Sequence, residues 1–149
     1  GELRGWTLEQ RYRTHAPAYF GRFLRRVEVV EIGALAEDLR DRLGAVELED
    51  LLLADLILVG RLPERARAEQ EEVWVVIEVS ATVDPEDVER AARRAGHLRQ
   101  AGYPAMAVAA GRRVSAEAQE AGVQAAVALM IDGRVERWEP ALEQAFYRP

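Results

Sequence analysis

The chain has 149 residues, 49% of them hydrophobic and 31% charged, which predicts a single globular domain over residues 1–149 with its own core. It contains no cysteine and no lysine, so disulfides, zinc–thiolate sites, thiol nucleophiles, Schiff bases and phosphate-loop lysines are excluded. The net charge of −6 argues against a broad basic surface for nucleic acid, and no ~20-residue apolar run or signal peptide is visible, which predicts a cytoplasmic protein.

The first part of the chain alternates between helical and extended segments. A helix is predicted over residues 3–15, and a proline and a glycine interrupt it over residues 16–21. An alternating strand follows over 27–31, then a helix over 34–43 whose leucines recur at helical spacing, and a short helical turn over 47–53.

Two buried strands come next, over residues 54–60 and 73–80, joined by a charged loop. Both runs are apolar on their two alternating faces, which is typical of central strands covered on both sides. Each also contains one carboxylate, Asp55 in the first run and Glu78 in the second. An unpaired carboxylate in such a place costs several kcal/mol, roughly, or takes up a proton, so both residues require an explanation.

The register of the hairpin brings these two carboxylates together. If the strands pair symmetrically about the loop, Gly60 lies opposite Val73, and Asp55 then lies opposite Glu78. A slip by two residues leaves both side chains on the same face of the sheet. Carboxylates ~5 Å apart repel, and a divalent cation is the simplest group that relieves the repulsion. The alternative is a pair of strand-end carboxylates satisfied by arginines or by backbone N–H groups.

The second half of the chain predicts a crossover and a closing hairpin. The best-marked helix has Asp84 as its N-cap and runs over residues 85–101, between strand 73–80 and a parallel strand over 105–110. The remaining elements are a helix capped by Ser115 and ended by Gly122, a strand over 124–131, an Asp132-Gly133 turn into a strand over 135–138, and a helix over 140–146. This order predicts an α/β fold with a mixed central sheet flanked by helices, and with extra C-terminal strands and a helix.

The order of elements, with an aspartate on one strand and a glutamate on the next, resembles the PD-(D/E)XK nuclease superfamily. The resemblance implies a restriction-endonuclease-like αβββαβ core and an Mg or Mn ion held by Asp55, Glu78 and the carbonyl of Val79. Many members add a glutamate from the first helix, for which Glu9 is the candidate. More narrowly, the segments 3–6, 12–13, 16–21 and 87–91 resemble an uncharacterised bacterial family with an upstream coiled coil.

The chain departs from the superfamily at one position. Ser80 stands where the resemblance places the lysine that orients the attacking water and stabilises charge on the phosphate. A hydroxyl carries no positive charge, although Arg90 or Arg94 on the following helix could supply one. We therefore predict a degenerate site of Asp55, Glu78, Ser80 and Glu9.

Two functions remain open from the sequence. The first is weak Mg- or Mn-dependent cleavage of nucleic acid. The second is a catalytically inactive nuclease-fold module for protein interaction or oligomerisation. The narrower resemblance also implies that residues 1–149 are the C-terminal part of a longer chain, with homo-oligomers forming through the coiled coil or through a domain interface, and no membrane partner.

Overall fold

The computed structural model describes residues 7–63 and 71–147, and within these ranges it is an α/β fold around one six-stranded sheet. The strands are β1 (Arg25–Val29), β2 (Leu56–Arg61), β3 (Glu72–Val83), β4 (Ala105–Val114), β5 (Ala128–Ile131) and β6 (Arg134–Glu136), and they lie in this order in the sheet. The helices are α1 (Leu8–Thr14), α2 (Ala16–Phe20), α3 (Ile32–Leu39), α4 (Ala45–Leu52), α5 (Pro85–Gln100), α6 (Ala116–Ala125) and α7 (Trp138–Ala145).

The sheet is mixed, with antiparallel pairs at its two borders and parallel pairs at its centre. β1 pairs with β2 and β2 with β3 in antiparallel fashion, β3–β4 and β4–β5 are parallel, and β5–β6 is antiparallel. Gly60 lies opposite Val73, so the predicted hairpin register is confirmed. The predicted parallel crossover from β3 through α5 to β4 is confirmed as well.

Helices cover the sheet on both faces, so the core has two parts. Successive side chains of β3 point alternately into one part and the other. Val75 and Ile77 pack in one cluster with residues of α1, α2 and α7. Val76 points the other way, into a second cluster formed with α3, α4, α5 and α6. Because both faces are buried, the strands are apolar at successive positions, which explains the continuous apolar runs in the sequence.

Helix α5 is the element whose sequence signals are the most complete. Asp84 accepts a hydrogen bond from the backbone N–H of Asp87, whose side chain bonds back to Asp84, and Pro85 occupies the first helical position. Ala91 and Ala95 are fully buried, so the small side chains allow the helix to lie close to the sheet. The predicted helix over 85–101 is therefore confirmed to within one residue.

The structure corrects the prediction for the N-terminal segment. Residues 16–21 were predicted as a break, but Ala16–Phe20 forms the short helix α2. Pro17 lies in its first turn, where a missing N–H costs no intrahelical hydrogen bond. The next helix also starts earlier than predicted, because Glu31 caps it by accepting from the N–H of Gly33.

The C-terminal elements differ from the prediction in two places. The strand predicted over 124–131 begins only at Ala128, because α6 continues to Ala125 and ends at Ala126 in the left-handed conformation. The Asp132-Gly133 turn is confirmed, with φ of 52° and 82° at its two residues. The strand after it stops at Glu136, since Trp138 begins helix α7 instead.

The two borders of the sheet are irregular or short. In β1 the pairing shifts between Arg25 and Glu28, and Arg26 between them has φ of 54°. β6 at the opposite border has only three residues. Among the described helices, none has the length and apolarity to cross a membrane.

Candidate functional site

Asp55 and Glu78 lie side by side at the point where β2 begins. Asp55 immediately precedes β2, and the pairing of Leu56 with Ile77 continues to place it opposite Glu78. The backbone N–H of Val79 donates to Asp55 Oδ2 at 2.8 Å, and the N–H of Asp55 donates to Glu78 Oε2 at 3.4 Å. The structure thus brings the two carboxylates together, as the hairpin register predicts. Their catalytic and metal-binding roles stay predictions.

Glu78 is buried and paired with arginines from α5. It is 3% exposed, and its Oε1 accepts a hydrogen bond from Arg94 Nη1 at 2.7 Å, with Arg90 Nε at 3.7 Å. Arg94 itself is 7% exposed, so this is a buried ion pair between a strand and a helix. These contacts are the ones that the alternative reading of the sequence requires, with the carboxylates satisfied by an arginine and by a backbone N–H.

The neighbours of Glu78 act on its pKa in opposite directions. Burial, and then the negative charge of Asp55, raise the pKa of Glu78 above its ordinary value of 4.5. The guanidinium of Arg94 lowers it and offsets part of that rise. The pKa of Glu78 remains raised, because burial and the charge of Asp55 together outweigh the effect of Arg94.

We expect this raised pKa to appear as a pH-dependent stability difference between the wild type and Glu78→Gln. The folded state holds the Glu78 proton more tightly than the unfolded state, so the wild type gains stability relative to the variant as the pH falls through the raised pKa. The gain is largest below the ordinary value of 4.5, where the unfolded state is protonated as well. Urea unfolding of both proteins between pH 4.5 and 8 measures it, and parallel curves over that range contradict it.

The structure places Val79 next to the acid pair, whereas the Ser80 hydroxyl bonds within its own strand. In an extended strand the N–H and C=O of one residue point to the same neighbour, so the Val79 carbonyl is directed to the Asp55 side along with its N–H. The hydroxyl of Ser80 donates to the carbonyl of Thr82 at 2.9 Å. Among the described residues, this hydroxyl makes no hydrogen bond to either carboxylate, and the catalytic role of Ser80 stays a prediction.

Helix α1 reaches the acid pair through an arginine and not directly through Glu9. Glu9 Oε2 lies 3.6 Å from Arg13 Nη2, and the same nitrogen donates to the backbone carbonyl of Asp55 at 2.9 Å. Sequence reasoning missed Arg13. Its spacing of four residues from Glu9 on a predicted helix was the available signal.

A second acidic residue, Asp50 on α4, extends the network away from the sheet. Its carboxylate accepts from Arg93 Nε at 2.9 Å and from Arg94 Nε at 3.4 Å, and it lies 3.0 Å from His97 Nε2. The hydrogen bond from Arg93 is the main cause that lowers the pKa of Asp50 to about 2. Arg94 therefore bridges Asp50 and Glu78, joining α4 and β3 through α5. In the sequence, the spacing of positions 90, 94 and 97 already places these three basic side chains on one face of the predicted helix.

The two carboxylate oxygens of Glu78 face different neighbours. Its Oε1 faces the arginines of α5, while Oε2 faces Asp55, whose Oδ1 accepts no hydrogen bond from residues 7–63 or 71–147. With the Val79 carbonyl, these oxygens are the hard donors that Mg and Mn prefer. Within the same ranges, no group of three or more acidic, histidine or cysteine side chains is placed to hold a metal ion. The protein thus offers two carboxylates and one carbonyl.

The chain was compared with protein-family models, curated proteins and solved structures. No protein-family model, no curated protein and no solved structure matches the chain. A functional assignment therefore depends on the residues and contacts of this protein alone.

Proposed function

We propose that the chain is a PD-(D/E)XK nuclease-like domain with a degenerate site, in which Arg90 and Arg94 of α5 supply the positive charge of the missing lysine. The observation that carries the proposal is the acid pair of Asp55, at the start of β2, and Glu78, inside β3, with the Arg94 guanidinium 2.7 Å from Glu78. The β2–β3 hairpin, followed by α5 and the parallel strand β4, supports it as the arrangement that the superfamily resemblance implies.

In this site the chain's own residues bind and orient a phosphodiester. Arg90, whose side chain is 36% exposed, is the cation at the rim of the site, and Arg94 holds Glu78 in place behind it. Asp55, Glu78 and the Val79 carbonyl would hold an Mg or Mn ion, which supplies a water of lowered pKa and polarises the phosphate. Arginine cannot accept a proton at neutral pH, so these arginines replace the charge of a lysine but not its capacity as a base. Because no lysine is present to act as a base, we expect the cleavage of nucleic acid to be slow.

A second candidate function is a catalytically inactive nuclease-fold module for protein interaction or oligomerisation. It is favoured by two large apolar side chains, Val46 and Leu53, which are 77% and 64% exposed. They are seven residues apart at the two ends of α4, which places them on one face of that helix. The buried pairing of Glu78 with Arg94 also favours it, because a guanidinium already neutralises the carboxylate.

A cleavage assay with matched carboxylate variants tests the first function. Labelled single- and double-stranded DNA and RNA are incubated with the wild type in Mn²⁺, and EDTA is the blank. We expect slow cleavage that Asp55→Asn reduces by about 100-fold or more, because the substitution removes a negatively charged oxygen ligand. Glu37→Gln removes an exposed carboxylate on α3 and is expected to leave the rate unchanged.

Thermal unfolding in Mn²⁺ separates the two functions. An ion that binds the native state raises the melting temperature, and Asp55→Asn should abolish the rise. No cleavage and no change in melting temperature would support the inactive module. A rise without cleavage would show an ion site that binds but does not hydrolyse.

A further inference from the structure

A second cleft lies at the carboxyl ends of β4 and β5, on the side of the sheet that α1 and α2 cover. Its volume is about 360 Å³, within the range of ligand pockets. We call it the arginine–tyrosine cleft. The lining residues used below are Arg11, Arg112, Arg113, Tyr12, Tyr19 and Asp132.

The cleft is positively charged although the whole chain is acidic. Three arginines, all exposed, line it against the single carboxylate of Asp132, while the chain carries a net charge of −6. Arg113 is held in position by hydrogen bonds from Nε and Nη2 to Thr82 Oγ1, at 3.3 and 3.0 Å. A local excess of arginine in an acidic protein attracts an anion to this one place.

Two tyrosines form one wall of the arginine–tyrosine cleft. The ring centroids of Tyr12 and Tyr19 are 4.7 Å apart. Tyr12 is 2% exposed and backs the ring of Tyr19, which is partly exposed. The Gly133 turn lies close to the same ring, since a Cβ built on Gly133 would be 3.7 Å from Tyr19 Cε1. A fixed, partly exposed ring offers an apolar contact at low entropic cost.

The turn of Asp132 and Gly133 forms another wall of the arginine–tyrosine cleft. Asp132 and Gly133 both have positive φ, and the N–H of Asp132 donates to the carbonyl of Gly111 at 2.9 Å. Gly111 in turn pairs with Ser80 of β3. The arginine–tyrosine cleft is therefore attached to the strand that carries Glu78, two residues further along it.

We propose that the arginine–tyrosine cleft binds single-stranded nucleic acid, with phosphates on the arginines and a base against Tyr19. Arginines combined with an aromatic contact are the chemistry that holds unpaired strands without sequence preference. Duplex DNA instead requires a broad basic surface, which the acidic chain disfavours. The proposal goes beyond the catalytic one, because it concerns binding and holds with or without cleavage at Asp55 and Glu78.

Fluorescence anisotropy with a labelled 12-nucleotide oligothymidine, at low salt and in EDTA, tests the proposal. EDTA removes divalent ions, so a failed cleavage assay and a failed binding assay are distinguishable. We expect Arg11→Gln with Arg112→Gln to weaken binding by about tenfold or more and to reduce the salt slope by about 1.4, at about 0.7 for each phosphate that an arginine no longer neutralises. Tyr19→Leu should weaken binding by about tenfold at an unchanged salt slope.

A matched control variant and a second probe complete the test. Arg22→Gln with Arg40→Gln removes the same charge from exposed positions outside the arginine–tyrosine cleft and is expected to bind like the wild type. Circular dichroism checks that each variant is folded. Equal weakening in the control pair, unchanged binding by Tyr19→Leu, equally tight binding of a duplex, or no binding at low salt would each overturn the proposal.

Discussion

Replacing Arg94 with methionine is expected to lower the free energy of unfolding by about 3–5 kcal/mol. The substitution leaves Glu78 buried beside Asp55 without its closest cation, and it removes one of the arginines that bond Asp50. Urea unfolding at pH 7 measures the loss, provided that the slope with denaturant is the same in both proteins.

Two further variants serve as controls for the loss of stability expected in Arg94→Met. Arg93→Met lies one residue away on α5, but its side chain is 40% exposed, so a loss of only about 1 kcal/mol is expected. Glu78→Met combined with Arg94→Met removes both charges and should be more stable than Arg94→Met alone. Equal losses for Arg93→Met and Arg94→Met would contradict a special role for the buried pair.

The second large effect is expected at Gly111 of β4, which lies opposite Ser80 of β3. A Cβ at this position would lie 2.2 Å from the carbonyl oxygen of Ser80 and 2.9 Å from Val83 Cγ2. Because the first of these atoms belongs to the backbone of a buried strand pair, the strands must separate to admit a methyl group. We expect Gly111→Ala to cost about 3 kcal/mol of unfolding free energy, measured by the same urea titration.

Gly96→Ala is the matched control for this substitution. Gly96 lies inside α5, and a Cβ there would meet only Arg99 Nη2, at an ordinary 3.6 Å. Alanine in a helix interior is preferred over glycine, so this variant is expected to gain about 0.5–1 kcal/mol. A loss at Gly96 similar to that at Gly111 would show that the crowding against Ser80 is not the cause.

The central strands and α5 were predictable because several local signals agree there. Apolar runs of strand length on either side of a charged segment set the β2–β3 pairing, and the Asp84 cap with Pro85 fixed the start of α5. The α2 segment was missed because a proline that breaks a helix interior is tolerated in a first turn. The start of β5 was missed because residues 124–127 suit a helix as well as a strand.

The acid pair was predictable for a different reason, and its partners were not. A strand repeats every two residues, so Asp55 and Glu78 share a face in any even register. The contact between Arg94 and Glu78 depends on how α5 is rotated over the sheet, and the bond to Asp50 depends on where α4 lies. The hydroxyl of Ser80 is directed by its hydrogen bond to Thr82, two residues away, which the motif position did not reveal.

The irregular β1 border and the three-residue β6 have a consequence for self-association. A neighbouring molecule that docks edge to edge needs a straight row of unpaired N–H and C=O groups to template its own strand. At β1 the kink at Arg26 and the exposed charges of Arg25 and Glu28 interrupt that row, and at β6 the row ends after three residues. We therefore expect concentrated protein to resist growth into continuous cross-molecule sheets.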